Sequence, residues 1–76
     1  MKTSAFAGAV SMRAIVGLKI RTLRKRRNLR LFDLAAATGF SLPKLCRMEF
    51  GLDPARLDDI ATVARAFNVP VRRLLP

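Results

Sequence analysis

A chain of 76 residues and 8.4 kDa is one domain at most, since chains near this size bury only about 60% of the surface their unfolded state exposes. That excludes a barrel, a doubly wound sheet or a two-domain enzyme. Leu, Ile, Val and Phe make up 24 of the 76 residues, above the roughly one-fifth below which chains stay disordered, so a fold with little margin is expected. Cys46 is the sole cysteine and there is no histidine. An internal disulfide, a zinc site and a Cys/His nucleophile pair therefore lack their components, and neither metal nor cofactor is expected.

Charge is the strongest signal in the composition: 15 Lys and Arg against 5 Asp and Glu give +10. Residues 1–32 hold nine of the basic side chains and no acid, and seven of the nine fall within Lys19–Arg30. A field this positive gathers polyanions by Coulomb attraction, which makes nucleic acid or anionic lipid the expected class of partner. The opening stretch Met1–Val10 is apolar, but Ala5–Val10 is six residues, far from the roughly 20 needed to span a bilayer. It also lacks the layout of a secretory signal, so no membrane attachment and a cytoplasmic location are expected. Residues 1–11 are expected to form a flexible arm, either a frayed tail or an arm touching DNA or a partner subunit, with the domain over residues 12–76.

Asn28, Gly39, Gly51 and Asn68 each stand where a helix can end, because left-handed backbone after the last turn costs least for Gly and then Asn. Five short helices follow. The first runs from about Ser11 or Val16 to Arg27, with Ile15, Val16, Ile20 and Leu23 inward and Lys and Arg on its other faces. The second spans Leu31–Thr38 around Leu34 and Ala35, with Leu31 either inward or outward. The third begins after Ser41, whose hydroxyl can cap it while Pro43 sits in the first turn; Leu45 and Met48 face inward and Gly51 ends it. A fourth covers about Arg56–Phe67, with Asp58 and Asp59 near its positive N-terminal end and Leu57, Ile60, Val63, Ala64 and Phe67 on one face. Pro70 leads into a last short helix, Val71–Leu75. No segment alternates with period two for long enough to be a strand.

The link Thr38-Gly39-Phe40-Ser41 joins two short helices through a glycine, so the second crosses the first steeply and projects from the body. Such a helix suits the B-DNA major groove, about 12 Å wide, where its first residues reach base edges. At this point the residues resemble the Cro/C1-type (XRE-like) helix-turn-helix DNA-binding proteins across about Gly17–Leu75. Ile20-Arg21-Thr22-Leu23-Arg24, Leu34-Ala35, Gly39-Phe40-Ser41, Leu45, Met48-Glu49-Phe50-Gly51, Leu57, Ile60, Val63-Ala64-Arg65-Ala66 and Val69 carry the likeness. Asn28-Leu29 occupies the place of the family's usual Gly-Leu.

The resemblance implies an all-α, five-helix lambda-repressor-like domain that acts as a sequence-specific, double-stranded DNA-binding regulator of bacterial or phage type. One domain of this size reads only a few base pairs, so a two-fold homodimer acting as repressor or activator on a palindromic site is expected, associated with the nucleoid and without enzymatic activity. The third helix, about Leu42–Phe50, would read the major groove through Leu42, Pro43, Lys44 and Arg47. Arg47 has the forked donors that match guanine, whereas Leu42 and Pro43 can only touch a thymine methyl or sense groove shape. Arg30, Lys25, Arg26, Arg27 and Ser41 are the expected phosphate contacts, although solvated charges on helix ends read the same way in sequence. Arg24 and Glu49 are implied as a partly buried ion pair. Val69, Val71, Leu74 and Leu75 are the expected dimer surface, in competition with packing on the chain's own core.

Three departures from the family pattern matter. Arg30-Leu31 replaces a usual Ser/Thr-Gln pair, and Phe50 lies where a polar phosphate-contacting residue is common. With Leu42, Leu31 and Phe50 would put three apolar side chains on or near the DNA face, unless Leu31 and Phe50 tuck inward. The alternative function is therefore a protein-interaction module, such as an antitoxin-like or anti-activator partner. Cys46, at a position the family commonly fills with a small residue, is expected to pack and not to sense redox state.

Overall fold

Ser11 stands in extended backbone and its hydroxyl oxygen accepts from the Ala14 N–H at 3.2 Å, so the first helix, α1, opens at Met12 and runs to Arg26. In this computed structural model, which describes residues 11–54 and 56–76, it is followed by α2 (Leu31–Thr38), α3 (Leu42–Glu49), α4 (Leu57–Phe67) and a 3-10 turn, Val71–Leu74. There is no strand among the described residues, and the architecture is all-α. Ser11 apart, the arm expected over residues 1–11 lies outside the described residues.

The four stop positions act through one geometry. Asn28, Gly39, Gly51 and Asn68 all have positive φ, 58°, 81°, 72° and 59°. After α1 the Leu29 N–H reaches back to the Arg24 carbonyl at 3.1 Å, after α3 Leu52 reaches Arg47 at 2.8 Å, and after α4 Val69 reaches Ala64 at 3.0 Å. These bonds satisfy carbonyls the helix leaves open and turn the chain sharply. At α2 a single bond from the Gly39 N–H to Ala35 O, 2.8 Å, does the same.

The turns fold the apolar faces onto one core of Val16, Ile20, Leu23, Leu34, Leu45, Met48, Ile60, Val63, Ala64, Phe67 and Leu74. Three expectations change. The fifth helix is a four-residue 3-10 turn, because Pro76 forces Leu75 before it into extended backbone and stops the helix there. Leu57 is exposed, since at the first position of α4 it stands beyond the end of the core. Leu74 is buried in the chain's own core and does not stand out as part of the expected dimer surface; Val69, Val71 and Leu75 are half-buried against it.

Two contacts fix where α3 sits. Arg24 Nε and Nη2 donate to the Glu49 carboxylate at 2.6 and 3.0 Å, and Arg24 Nη1 donates to the Leu29 carbonyl at 2.9 Å. The side chains are only 12% and 5% exposed. The hydrogen bond to Glu49 raises the Arg24 pKa above its ordinary value, against the burial that lowers it, so the guanidinium stays charged. Beside this pair, Gly17 lets the backbones close up: a Cβ there would meet the Met48 carbonyl oxygen and lie 2.7 Å from that of Glu49.

Glu49→Ala leaves a buried guanidinium without its partner, a loss of about 3–5 kcal/mol. At about 4–8 °C per kcal/mol for a domain of this size, thermal denaturation should show the chain unfolded or melting at least ten degrees lower; a melting curve that overlays the parent's would contradict the pairing's role. Gly17→Ala should cost about 1–3 kcal/mol by overpacking, read in the same experiment.

Candidate nucleic-acid interface

The α2–α3 link is built from its own side chains. Thr38 Oγ1 donates to the Leu34 carbonyl at 2.8 Å and accepts from the Phe40 N–H at 3.2 Å, and Ser41 Oγ accepts from the Lys44 N–H at 3.2 Å. Pro43 falls in the first turn of α3, where its missing N–H leaves nothing unpaired. Phe40 is half-buried against the core, so the turn is pinned at its centre.

Within α3 the helical period separates two faces. Leu45, Met48 and Glu49 are buried, whereas Ser41, Leu42, Pro43, Arg47 and Phe50 are exposed. Leu42 is 41% exposed and Phe50 64%; Phe32, at the start of α2, is also exposed. Leu31 is half-buried and packs against the core. Cys46 is partly buried and unpaired.

Lys44 and Arg47 are engaged by carboxylates from beyond Gly51. Arg47 Nε donates to Asp53 Oδ1 at 2.9 Å, and Lys44 Nζ lies 3.7 Å from Asp53 Oδ2 and 3.1 Å from Asp59 Oδ2. Lys44 Nζ also stands 5.2 Å from the centre of the Phe40 ring, within cation–π range. The Arg47 hydrogen bond above all, then the charges of Arg47 and Lys44, hold the Asp53 carboxyl below the usual aspartate range. Arg47 keeps half its side chain exposed, and its terminal Nη groups have no hydrogen-bond partner among the described residues. The fork is thus held by its inner nitrogen and open at its outer ones.

This clamp was not expected from sequence, where Asp59 reads as a helix start. The signal available is the reversal at Gly51, whose left-handed backbone and the Leu52-to-Arg47 bond bring position 53 back beside position 47.

At the other end of the motif, Arg30 is highly exposed and pairs with Asp33, Nη2 to Oδ1 at 3.1 Å. The Asp33 carboxylate also accepts from the Arg30 backbone N–H at 2.8 Å, tying down the chain as it enters α2, where Arg30 makes no side-chain cap of its own. That pairing with Arg30 lowers the Asp33 pKa. Lys25 and Arg26 are exposed at the end of α1. Arg27 is directed elsewhere: its Nη1 donates to the Phe67 carbonyl and its guanidinium lies 5.4 Å from the Phe67 ring centre. It closes the C-terminal end of α4, where a cation complements the helix dipole.

The described residues contain no cluster of metal-ligating side chains and no helix long and apolar enough to cross a membrane. Ser41, Leu42, Pro43, Arg47 and the partly buried Lys44 lie at the start and on the outer side of α3, with Leu45 and Glu49 buried behind them.

The family model described as "Helix-turn-helix domain" matches residues 15–75. An HTH-type transcriptional regulator, DdrOP3 of Deinococcus deserti, is 35% identical over 57 residues, which is 75% of this chain and 44% of that protein. The chain therefore spans less than half the length of that relative. Among solved structures, the restriction-modification controller protein C.AhdI from Aeromonas hydrophila superposes with a TM-score of 0.77 at 26% identity, over 82% of this chain and 94% of that one. The clp gene regulator ClgR from C. glutamicum gives 0.81 at 25% identity, over 86% and 84% of the two chains. With the family model spanning most of the chain and the two helices set across a glycine turn, this protein belongs to the helix-turn-helix family, in its Cro/C1-type branch.

Proposed function

We propose that this protein is a sequence-specific regulator of transcription that binds double-stranded DNA as a two-fold dimer and reads the major groove with α3. The observation that carries this reading is the state of Arg47: half exposed on α3, oriented at Nε by Asp53, and with its terminal donors open. Two such donors in one plane match the O6 and N7 acceptors of guanine, and a good bidentate pair discriminates by about 1–3 kcal/mol. Leu42 and Pro43 offer apolar contact for a thymine methyl. Ser41 retains its hydroxyl proton for a phosphate, and Arg30 and Lys44 supply charge there, Lys44 by exchanging a carboxylate for a phosphate.

Affinity on this reading is dominated by phosphates, and Lys25 and Arg26 add to the field without reading bases. One copy spans few base pairs, so a dimer on a palindromic site supplies the specificity. Val69, Val71 and Leu75 are its proposed surface. A second reading, a protein-interaction module, is favoured only by the exposed Leu42 and Phe50.

Duplexes selected from a random pool and assayed by mobility shift at several salt concentrations test this. Arg47→Ala should erase the preference for the selected duplex, whereas Arg30→Ala should weaken all duplexes alike and reduce the log–log salt slope by about 0.9. The parent dimer, making roughly six to ten phosphate contacts, should lose about 10³–10⁵ in affinity between 50 and 200 mM salt. Absence of any duplex preference, or binding indifferent to salt, overturns the proposal.

Asp53→Asn should raise affinity for unselected duplexes, through one charge fewer against the phosphates, while lowering the ratio of selected to unselected binding several-fold. An unchanged ratio in a fluorescence-anisotropy titration would show that the clamp does not orient Arg47. With no histidine in the chain and Asp33 and Asp53 held below the ordinary Asp range, their pairing is complete above about pH 4 and is lost only as pH falls through the lowered values. Affinity at fixed ionic strength should therefore be flat between about pH 5 and 7; a pronounced slope there would contradict these pairings.

A further inference from the structure

On a different surface, α1 and the 3-10 turn enclose a groove of about 270 Å³ lined by Leu18, Lys19, Thr22, Leu23, Arg26, Arg73 and Leu74. Its floor is apolar, formed by Leu23 and Leu74, and one wall is Leu18, which is 60% exposed. Three cations stand on its rim and no acid lines it. Lys19 Nζ donates to the Leu75 carbonyl at 2.6 Å, which steadies the 3-10 turn against α1. Arg26 and Arg73 have no ion-pair partner among the described residues.

No residue of α2 or α3 contributes to this groove, so the helix-turn-helix reading neither requires nor explains it. We infer that the groove docks an acidic amphipathic segment of another protein, seating one large apolar side chain between Leu18, Leu23 and Leu74 with Asp or Glu on either flank paired to Arg26 and Arg73. The volume lies just under the usual range of ligand pockets, about 300–1,000 Å³, and suits a single anchor side chain of the kind that dominates small interfaces. Exposed leucine at a concave, cation-rimmed site distinguishes this surface from a plain phosphate track, which needs charge but no apolar floor.

Charge decides against a second copy of the chain as occupant. All five acids lie within the described residues, and Asp33, Glu49, Asp53 and Asp59 are each paired to a cation of their own chain. Only Asp58 remains, and residues 1–10 contain one Lys and no acid. A copy carrying +10 has almost nothing to set against Arg26 and Arg73, whereas an acidic partner meets both requirements of the groove.

The test titrates the full chain into a fluorescein-labelled helical peptide that carries a Leu/Phe stripe flanked by Glu, with a Lys-flanked peptide of the same stripe as control, read by anisotropy. The Glu peptide should bind saturably and at least about tenfold tighter than the Lys peptide. Leu18→Asp and, independently, Arg73→Glu should each weaken it about tenfold or more, with circular dichroism spectra and melting temperatures close to the parent's because both side chains are exposed. No saturable binding, equal binding of the two peptides, or indifference to both substitutions overturns the inference. So does competition by phosphatidylserine vesicles that depends on Leu18, which would assign the groove to a membrane surface. A change in sedimentation equilibrium on Leu18→Asp would assign it to a second copy and overturn it equally.

Discussion

The buried pair of Arg24 and Glu49 governs how the rest of this protein is arranged. One guanidinium reaches the end of α3 through two hydrogen bonds and the turn after α1 through a third, so three segments share a single charged anchor. Such a pair contributes little net stability once desolvation is counted, but its directionality is strict, and losing either partner strands a charge in the interior. Gly17 complements it by leaving no side chain between α1 and the end of α3 at that point. Together they set α3 with Leu45, Met48 and Glu49 inward and Arg47 outward. The left-handed turn at Gly39 then ends α2 and leads the chain through Phe40 and Ser41 into α3.

Against this frame, the chain's few acids do work out of proportion to their number. Each of four sits on a cation of its own, and none of the pairs lies on α1 outside Arg24. The long basic helix is left as an uncompensated source of positive field, while the cations nearest the helix-turn-helix are individually held. Under the proposed function the two arrangements would serve different ends. Uncompensated charge raises the rate and strength of encounter with polyanions at range, whereas a clamped Arg47 would meet a base with less side-chain freedom to lose. Exposed ion pairs of this kind are weak enough to exchange for phosphate, so its pairing leaves Lys44 available to the proposed contact.

Much of the fold was legible because it rests on local chemistry. Asn28, Gly39, Gly51 and Asn68 mark the helix ends through a backbone conformation few residues adopt, and Ser41 and Pro43 mark a helix start. The misreadings have a common cause in tertiary position. Leu57 continues the apolar period of α4 but lies past the core's edge, and Leu74 looks like spare apolar surface until the 3-10 turn folds it inward. The docking of Arg27 on Phe67 and of Lys19 on Leu75 left no trace in sequence, because a backbone carbonyl carries no residue identity and a long flexible side chain can reach many. At the candidate site, Ser41, Lys44 and Arg47 were readable from their places on α3. Their engagement by Asp53 and Asp59 was not, since it depends on a chain reversal at Gly51 and not on helical spacing.

In the proposed function α3 enters the major groove of DNA. A ¹⁵N NMR titration of the full chain with a selected duplex measures this directly. The largest shift changes are expected at Ser41 through Arg47 and at Arg30, with Leu18 and Arg73 little affected. Changes centred on Leu18 and Arg73, with α3 silent, would contradict it.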